Sequence, residues 1–227
     1  QDLSGWDVSK VTSMSNMFER ASSFNADIGS WDVSSVSNMG GMFYYATSFN
    51  RNLSSWDVTG LTSMSGIFQY ASSFNGDISS WNVSKVVSMN SMFRDALSFD
   101  GDLSGWDVSS VTNMAGMFGT GHYVRTNTFN GDISGWDVSS VVSMNDMFFG
   151  CNQFDQDLSG WDVSKVTSMR QMFHTASSFN GDVGSWDVAG VTDMYKIFHK
   201  AYSFSKNLSS WDVTGLTSMS KMFDFAS

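Results

Sequence analysis

The sequence predicts an α/β solenoid: a right-handed coil with short parallel strands and one short helix in each repeat. Three observations carry that expectation. A phrase close to G-D-[LIV]-S-[GS]-W-D-V-S-x-V-T-S-M-x-x-M-F-x-x-A-S-S-F-N recurs nine times at a spacing of 25 residues, with units starting at 1, 26, 51, 76, 101, 131, 156, 181 and 206. A unit this short cannot enclose a core of its own and must bury its apolar face against its neighbours. Large apolar side chains also fall in fixed columns, and no proline interrupts the chain, so every coil keeps its backbone donors.

Positions in the first unit name the columns. The inward set is Leu3, Trp6, Val8, Val11, Met14, Met17, Phe18, Ala21 and Phe24. Trp6 and Val8 alternate with Asp7 and Ser9, and Val11-Thr12 continues in β-branched residues, which reads as one or two short strands pairing in parallel with the next coil. Met14, Met17, Phe18 and Ala21 lie at i, i+3, i+4 and i+7, the spacing of a buried helical face. Ser13 and its column mates, among them Asn38, Ser63 and Asp193, are good N-cap types just ahead of it. A helix from about column 14 to column 21 is therefore expected, with a return through Phe24-Asn25. Residues 1–227 read as a single array of nine coils and as a segment of a longer chain. A five-residue insertion in the fifth coil, between Phe118 and Phe129, is expected to loop out on the helix side.

The run Trp6-Asp7-Val8-Ser9-x-Val11-Thr12-Ser13-Met14-x-x-Met17-Phe18-x-x-Ala21, repeated through to Ala226, resembles the bacterial surface-protein repeat of mycoplasma lipoproteins and listerial surface proteins, a domain family of unknown function. It is also similar to the Val-Thr-Ser-Ile-x-x-x-Ala-Phe-x-x-Cys phrase of BspA-like leucine-rich repeats, with Cys151 in the corresponding column. The resemblance implies a leucine-rich-repeat-like fold, an extracellular or cell-surface location, and a role in adhesion or as a structural spacer. It carries no catalytic motif.

Charge narrows the partners. A net charge of −10 with 12 scattered basic residues argues against nucleic acid and against anionic membrane surfaces. No stretch approaches a membrane span, and one cysteine excludes internal disulfides. What remains is a protein or glycan partner on a surface, or self-association into a filament.

Fifteen of the 22 acidic residues occupy two columns, those of Asp2 and Asp7. Their expected role is to accept backbone N–H bonds in turns, Asp7 with Ser9 having the Asx-turn pattern. The alternative is a ladder of Ca²⁺ ions bridging Asp7, Asp32 and Asp57, although no D-x-D-x-D loop is present. Asn25, Asn50, Asn75, Asn130 and Asn180, with Asp100 and Asp155, are expected to stack as a structural polar ladder. Asn52, Asn82 and Asn207 open N-x-S sequons within the Asp columns and are possible glycosylation sites.

Columns 19 and 20 vary. Tyr44, Tyr45, Tyr70 and Phe149, with Tyr123 and Arg125 of the insertion, are candidates for a partner surface, because Tyr and Arg are enriched at binding hot spots. Packing over coil edges is the alternative. His174 and His199 share a column in adjacent coils and are expected at the surface; with His122 they supply too few groups for a metal or catalytic site. No catalytic, cofactor or metal site is read from the chain. The leading expectation is a non-enzymatic extracellular adhesin or scaffold. An ice- or mineral-binding face is the alternative, using the ladder Thr12, Thr62, Thr112, Thr167, Thr192 and Thr217, interrupted by Val87 and Val142.

Overall fold

The 25-residue period becomes a register of physical contacts. A computed structural model describes residues 2–121 and 127–226. Each coil lies against the next with equivalent residues adjacent, so the Phe18 and Phe24 columns form two ring ladders. Phe43 stacks on Phe68 at 5.4 Å and Phe49 on Phe74 at 6.0 Å, while Phe43 and Phe49 pack within one coil at 4.0 Å. The Trp column adds a polar tie. Trp31 Nε1–H donates to the Leu3 carbonyl at 3.0 Å, and every later Trp through Trp211 repeats that bond to the coil before it. Each buried indole thus keeps a partner for its one polar atom.

The expected helix is absent. Among the described residues there is no helix and no sheet, so the α/β solenoid with a helix per repeat is not the fold. Met14–Met17 and Phe18–Ala21 are instead two successive β-turns, closed by Met17 N–H to Met14 O (3.2 Å) and Ala21 N–H to Phe18 O (3.1 Å). Columns 16 and 20, each the third residue of its turn, hold φ near +60°, as Asn16 (56°), Arg20 (57°), Tyr45 (58°) and Tyr70 (62°) show. That is the type II signature, and it stops an α-helix. The N–H groups of columns 16, 18 and 20 donate to the next coil rather than four residues back; Asn16, Phe18 and Arg20 reach the carbonyls of Gly40, Met42 and Tyr44.

Two consecutive four-residue turns place i, i+3, i+4 and i+7 inward just as a helix does. The apolar spacing therefore cannot separate the two conformations; the left-handed columns decide. Leu3–Trp6, Val8–Val11 and Ala21–Phe24 are closed by the same i+3 to i hydrogen bond, so most three-residue steps between inward columns are turns.

The expected strands shrink to isolated parallel bridges, one between Asn127 and Cys151 and others at column 13, such as Ser13 with Asn38 and Ser143 with Ser168. This is the column read above as an N-cap. Asn38, Asn113 and Asp193 do cap something, since each Oδ1 accepts the N–H two residues on, at 2.8–3.0 Å. The same local acceptor chemistry serves an Asx-turn and a helix start.

The fifth coil is closed by a side chain. Elsewhere the column-18 carbonyl receives the column-21 N–H, and the column-21 carbonyl receives the column-24 N–H. Here the Asn127 amide takes both places: Nδ2–H donates to Phe118 O (2.5 Å), and Oδ1 accepts from Phe129 N–H (2.8 Å). Asn127 is 1% exposed. An amide with a donor and an acceptor on one carbon copies a peptide group, and it restores the ring ladder, with Phe118 and Phe129 at 3.8 Å.

Candidate functional site

Columns 19 and 20 lie on the second of the paired turns, where Tyr44, Tyr45 and Tyr70 converge. Tyr45 and Tyr70 stack at 4.1 Å with planes 13° apart. Tyr44 stands nearly perpendicular to both, at 4.9 and 5.6 Å. All three are half-buried, so the cluster is a corner with a flat wall and an upright edge. Tyr45 and Tyr70 hold left-handed backbones that cost bulky residues on the order of 1–2 kcal/mol each.

Arg20 sits over the Tyr45 ring, its guanidinium carbon 5.8 Å from the centroid, and pairs with Glu19 at 3.5 Å. On that side Arg20, Ser22, Tyr45 and Thr47 line an open cleft of about 370 Å³. On the other side a cleft of about 280 Å³ lies against Tyr44. Behind the corner, the Asp95 carboxylate accepts the Gly121 N–H at 2.6 Å, and Arg94 reaches Thr120 O at 3.5 Å, which ties the start of the insertion to the fourth coil. Burial, followed by the Asp95 charge, raises the Tyr70 phenol above its ordinary value.

Other predicted positions separate from this cluster. Phe149 is 4% exposed and stacks on His174 at 4.7 Å, so it is packing rather than partner surface. Tyr123, Arg125 and His122 lie outside the described residues. The two remaining histidines correct the expectation of surface groups: His174 is 1% exposed, His199 is 7% exposed, and their rings meet edge-on at 4.6 Å. Burial, helped by the neighbouring His199 and the cationic Lys196 and Lys200, lowers His174 to about 3. His199 is lowered mainly by burial, against a raising influence from Asp224, whose carboxylate lies 3.4 Å from its Nδ1. Cys151 is fully buried, and desolvation pushes its thiol well above the ordinary range.

The acidic columns adopt the turn role. Asp7, Asp32 and Asp57 each accept the backbone N–H and the hydroxyl of Ser9, Ser34 and Thr59, at 2.6–3.1 Å. Those bonds hold the three carboxyls below their ordinary value. Among the described residues no group of three or more His, Cys, Asp or Glu side chains could hold a metal ion. Asn52, Asn82 and Asn207 are exposed and do the same work with Oδ1, accepting the N–H of Ser54, Ser84 and Ser209. The Asn25 ladder is continuous, each side chain accepting the equivalent N–H of the next coil from Asn50 to Ser205. The column-12 threonines are exposed, with Val87 (46%) and Val142 (43%) exposed in the same row. Thr112, Thr167, Thr192 and Thr217 turn their hydroxyl hydrogens into the carbonyl of the preceding coil.

A profile described as "Mycoplasma protein of unknown function, DUF285" matches residues 1–73, 53–125 and 120–227, so its repeats overlap along the whole chain. The chain belongs to this family. No curated protein matches it. In these DUF285 repeats no helix among the described residues is long and apolar enough to cross a membrane.

Three features of the repeats escaped the reading from sequence. The left-handed columns were obscured because only Gly41, Gly66, Gly116 and Gly150 are glycine there. Histidine burial depends on ring neighbours one coil away. Asn127 carried one visible signal: it stands two residues before Phe129, where the pattern resumes, the spacing at which an Asx side chain accepts a backbone N–H.

Proposed function

We propose that this chain is a non-enzymatic scaffold of the extracellular or cell-surface type, rigid along its stack, which engages a partner through the corner formed by Tyr44, Tyr45 and Tyr70. The observation that carries this reading is the contrast in column 20. Most coils spend that left-handed position on a small or flexible side chain, whereas Tyr45, Tyr70 and Phe225 place aromatic rings there, and only Tyr45 and Tyr70 among these three lie in adjacent coils, stacked on each other and half-open. Backbone strain kept under bulky side chains is characteristic of places where the side chain has a task. Regularity supports the scaffold role. Successive coils repeat the same backbone bonds, Trp ties and Asn ladder, which leaves little freedom between them. Leucine-rich-repeat kinship, adhesion and membership of a filament are finer versions of this proposal. The mycoplasma description of the family is consistent with a surface context.

Electron microscopy of the native material tests it, combined with protease treatment of intact cells. Rods projecting from cells and lost on shaving support an adhesin, and repeating subunits along a polymer support a structural filament. Protection of the chain inside intact cells overturns the surface reading. A second reading, an ice- or mineral-binding face, draws on the exposed column-12 row, where Val87 and Val142 keep the shape of the threonines they replace. A thermal-hysteresis assay without effect removes it.

A further inference from the structure

We propose that the tyrosine corner is a binding site for a neutral oligosaccharide, with one pyranose ring stacked on the outer face of Tyr45 and the adjoining unit seated against Tyr44. This deepens the partner-surface reading above and rests on it. Tyr70 covers one face of Tyr45 at 4.1 Å. The other face looks into the 370 Å³ cleft, where Arg20 overlies it, and Arg20 has a side chain 74% exposed and able to swing aside. A flat apolar platform with a mobile cover suits a ring that has an apolar face and a polar rim.

The second cleft supplies polar groups of the right kind. Asn16, Ser65, Gln69 and Asn90 line it as neutral groups beside the Glu19 carboxylate. Asn90 Nδ2–H is used on Ala115 O, and Ser65 is bonded to Ser63 and Ser88. The side-chain amides of Asn16 and Gln69 make no hydrogen bond among the described residues and are free to give and take bonds with hydroxyls. Gly41 and Gly66 open this cleft. Ser91, Asp146, Gln171 and Lys196 hold the same left-handed backbone elsewhere in column 16, so φ alone does not demand glycine. A Cβ at Gly41 would stand 2.2 Å from Asn16 Oδ1, and one at Gly66 would stand 3.2 Å from Gln69 Oε1. The two free amides are thus the groups that bare glycines make room for.

Charge selects among ligands. Glu19, a carboxylate lining the second cleft, pairs with Arg20 at 3.5 Å, and the chain as a whole carries −10. Acidic glycans and nucleic acid are therefore disfavoured. Two shallow clefts, one somewhat above and one just below the roughly 300 Å³ lower bound for ligand pockets, suit one or two sugar rings, not a buried cofactor.

Calorimetric titration of the full chain with β-1,4-linked hexasaccharides of glucose and of N-acetylglucosamine tests the assignment, with a sialylated oligosaccharide as the acidic counterpart. At least one neutral hexasaccharide is expected to bind with Kd below about 1 mM, and the acidic one at least tenfold more weakly. Tyr45→Ala is expected to weaken binding at least tenfold, and Tyr45→Phe, which keeps the ring, by less than threefold. Because Tyr45→Ala could disturb the coil, Gly66→Ser serves as a second variant that closes the amide cleft without touching the rings; it is expected to weaken the hexasaccharide more than a disaccharide. No neutral binding up to 10-fold above that Kd, equal affinity for the acidic probe, or binding indifferent to both Tyr45→Ala and Gly66→Ser overturns the proposal. If glycans fail while Tyr45→Ala still abolishes attachment of the protein to cells, the ligand class falls and the partner surface stands.

Discussion

The fifth coil and its regular neighbours solve one problem in two ways. In the fourth coil the Phe93 carbonyl receives Ala96 N–H, and Phe99 N–H reaches the Ala96 carbonyl. In the fifth, the backbone keeps its inter-coil bonds through Thr120, whose N–H reaches the Phe149 carbonyl, and the Asn127 side chain occupies the missing peptide's place. What must be preserved is the pairing of buried polar groups and the seat of the next ring, not the chain that provides them.

The largest effect follows from removing that stand-in. Asn127→Leu should strand the buried Phe129 N–H and leave the Phe118 carbonyl only the weak Cys151 thiol donor at 3.4 Å, so urea unfolding is expected to show a loss of about 3 kcal/mol. If the loss is under about 1 kcal/mol, the side chain is not a substitute for the peptide. A regular coil offers the matched test. Trp106→Phe removes the donor to the Ile78 carbonyl and part of a stacked ring, and should cost about 2 kcal/mol by the same measurement.

Acid should separate the two sides of the interruption. His174 is lowered from its ordinary 6.5 to about 3, so between those values the unfolded chain binds a proton that the folded chain does not. Stability from this group is complete above about pH 6.5 and is lost as pH falls toward 3, about 2 kcal/mol of it by pH 5. The coils carrying Phe149, His174 and His199 should therefore show raised amide exchange at pH 5 before the coils around Tyr45. The turn-bound Asp carboxyls, also lowered, weaken the fold only below about pH 4, outside this window. Uniform exchange across the chain, or none of it abolished by His174→Phe, would remove the histidines as the cause.

Smaller effects probe the shared frame. Ser91→Gly relieves a left-handed residue in a column where Gly41, Gly66 and Gly116 already serve, and should gain about 0.5 kcal/mol once the greater freedom of the unfolded glycine is subtracted. Asp137→Asn keeps the Oδ1 acceptor that Ser139 N–H uses, as Asn82 does naturally, so its unfolding free energy should change by less than about 0.5 kcal/mol.

The repeat, its nine inward columns and the turn role of Asp7 were legible because each depends on residue type and local spacing. So was the Asn25 ladder, which needs only equivalent residues to be adjacent. The helix was misread because Met14, Met17, Phe18 and Ala21 fit two stacked turns as well as one helix, and the deciding φ values sit under Asn16, Arg20 and Tyr45, residues that do not announce them. Tyr44, Tyr45 and Tyr70 could be singled out from their columns, but their perpendicular packing could not. Phe149 and the histidines look alike in sequence to the tyrosines, yet each is enclosed by rings one coil away.

The Trp ties, in which each indole reaches the carbonyl of the coil before it, also bear on how such a chain can change over generations. A tie of this kind asks only that some coil with the same column lie behind it, and it is indifferent to which one. Duplicating or deleting one whole 25-residue unit would leave each bond with an equivalent partner, whereas a change of any other length must be absorbed within a single coil, as at Asn127. The molecule can therefore be lengthened or shortened in discrete steps, with the distance over which it holds a tyrosine corner as the quantity that recombination adjusts.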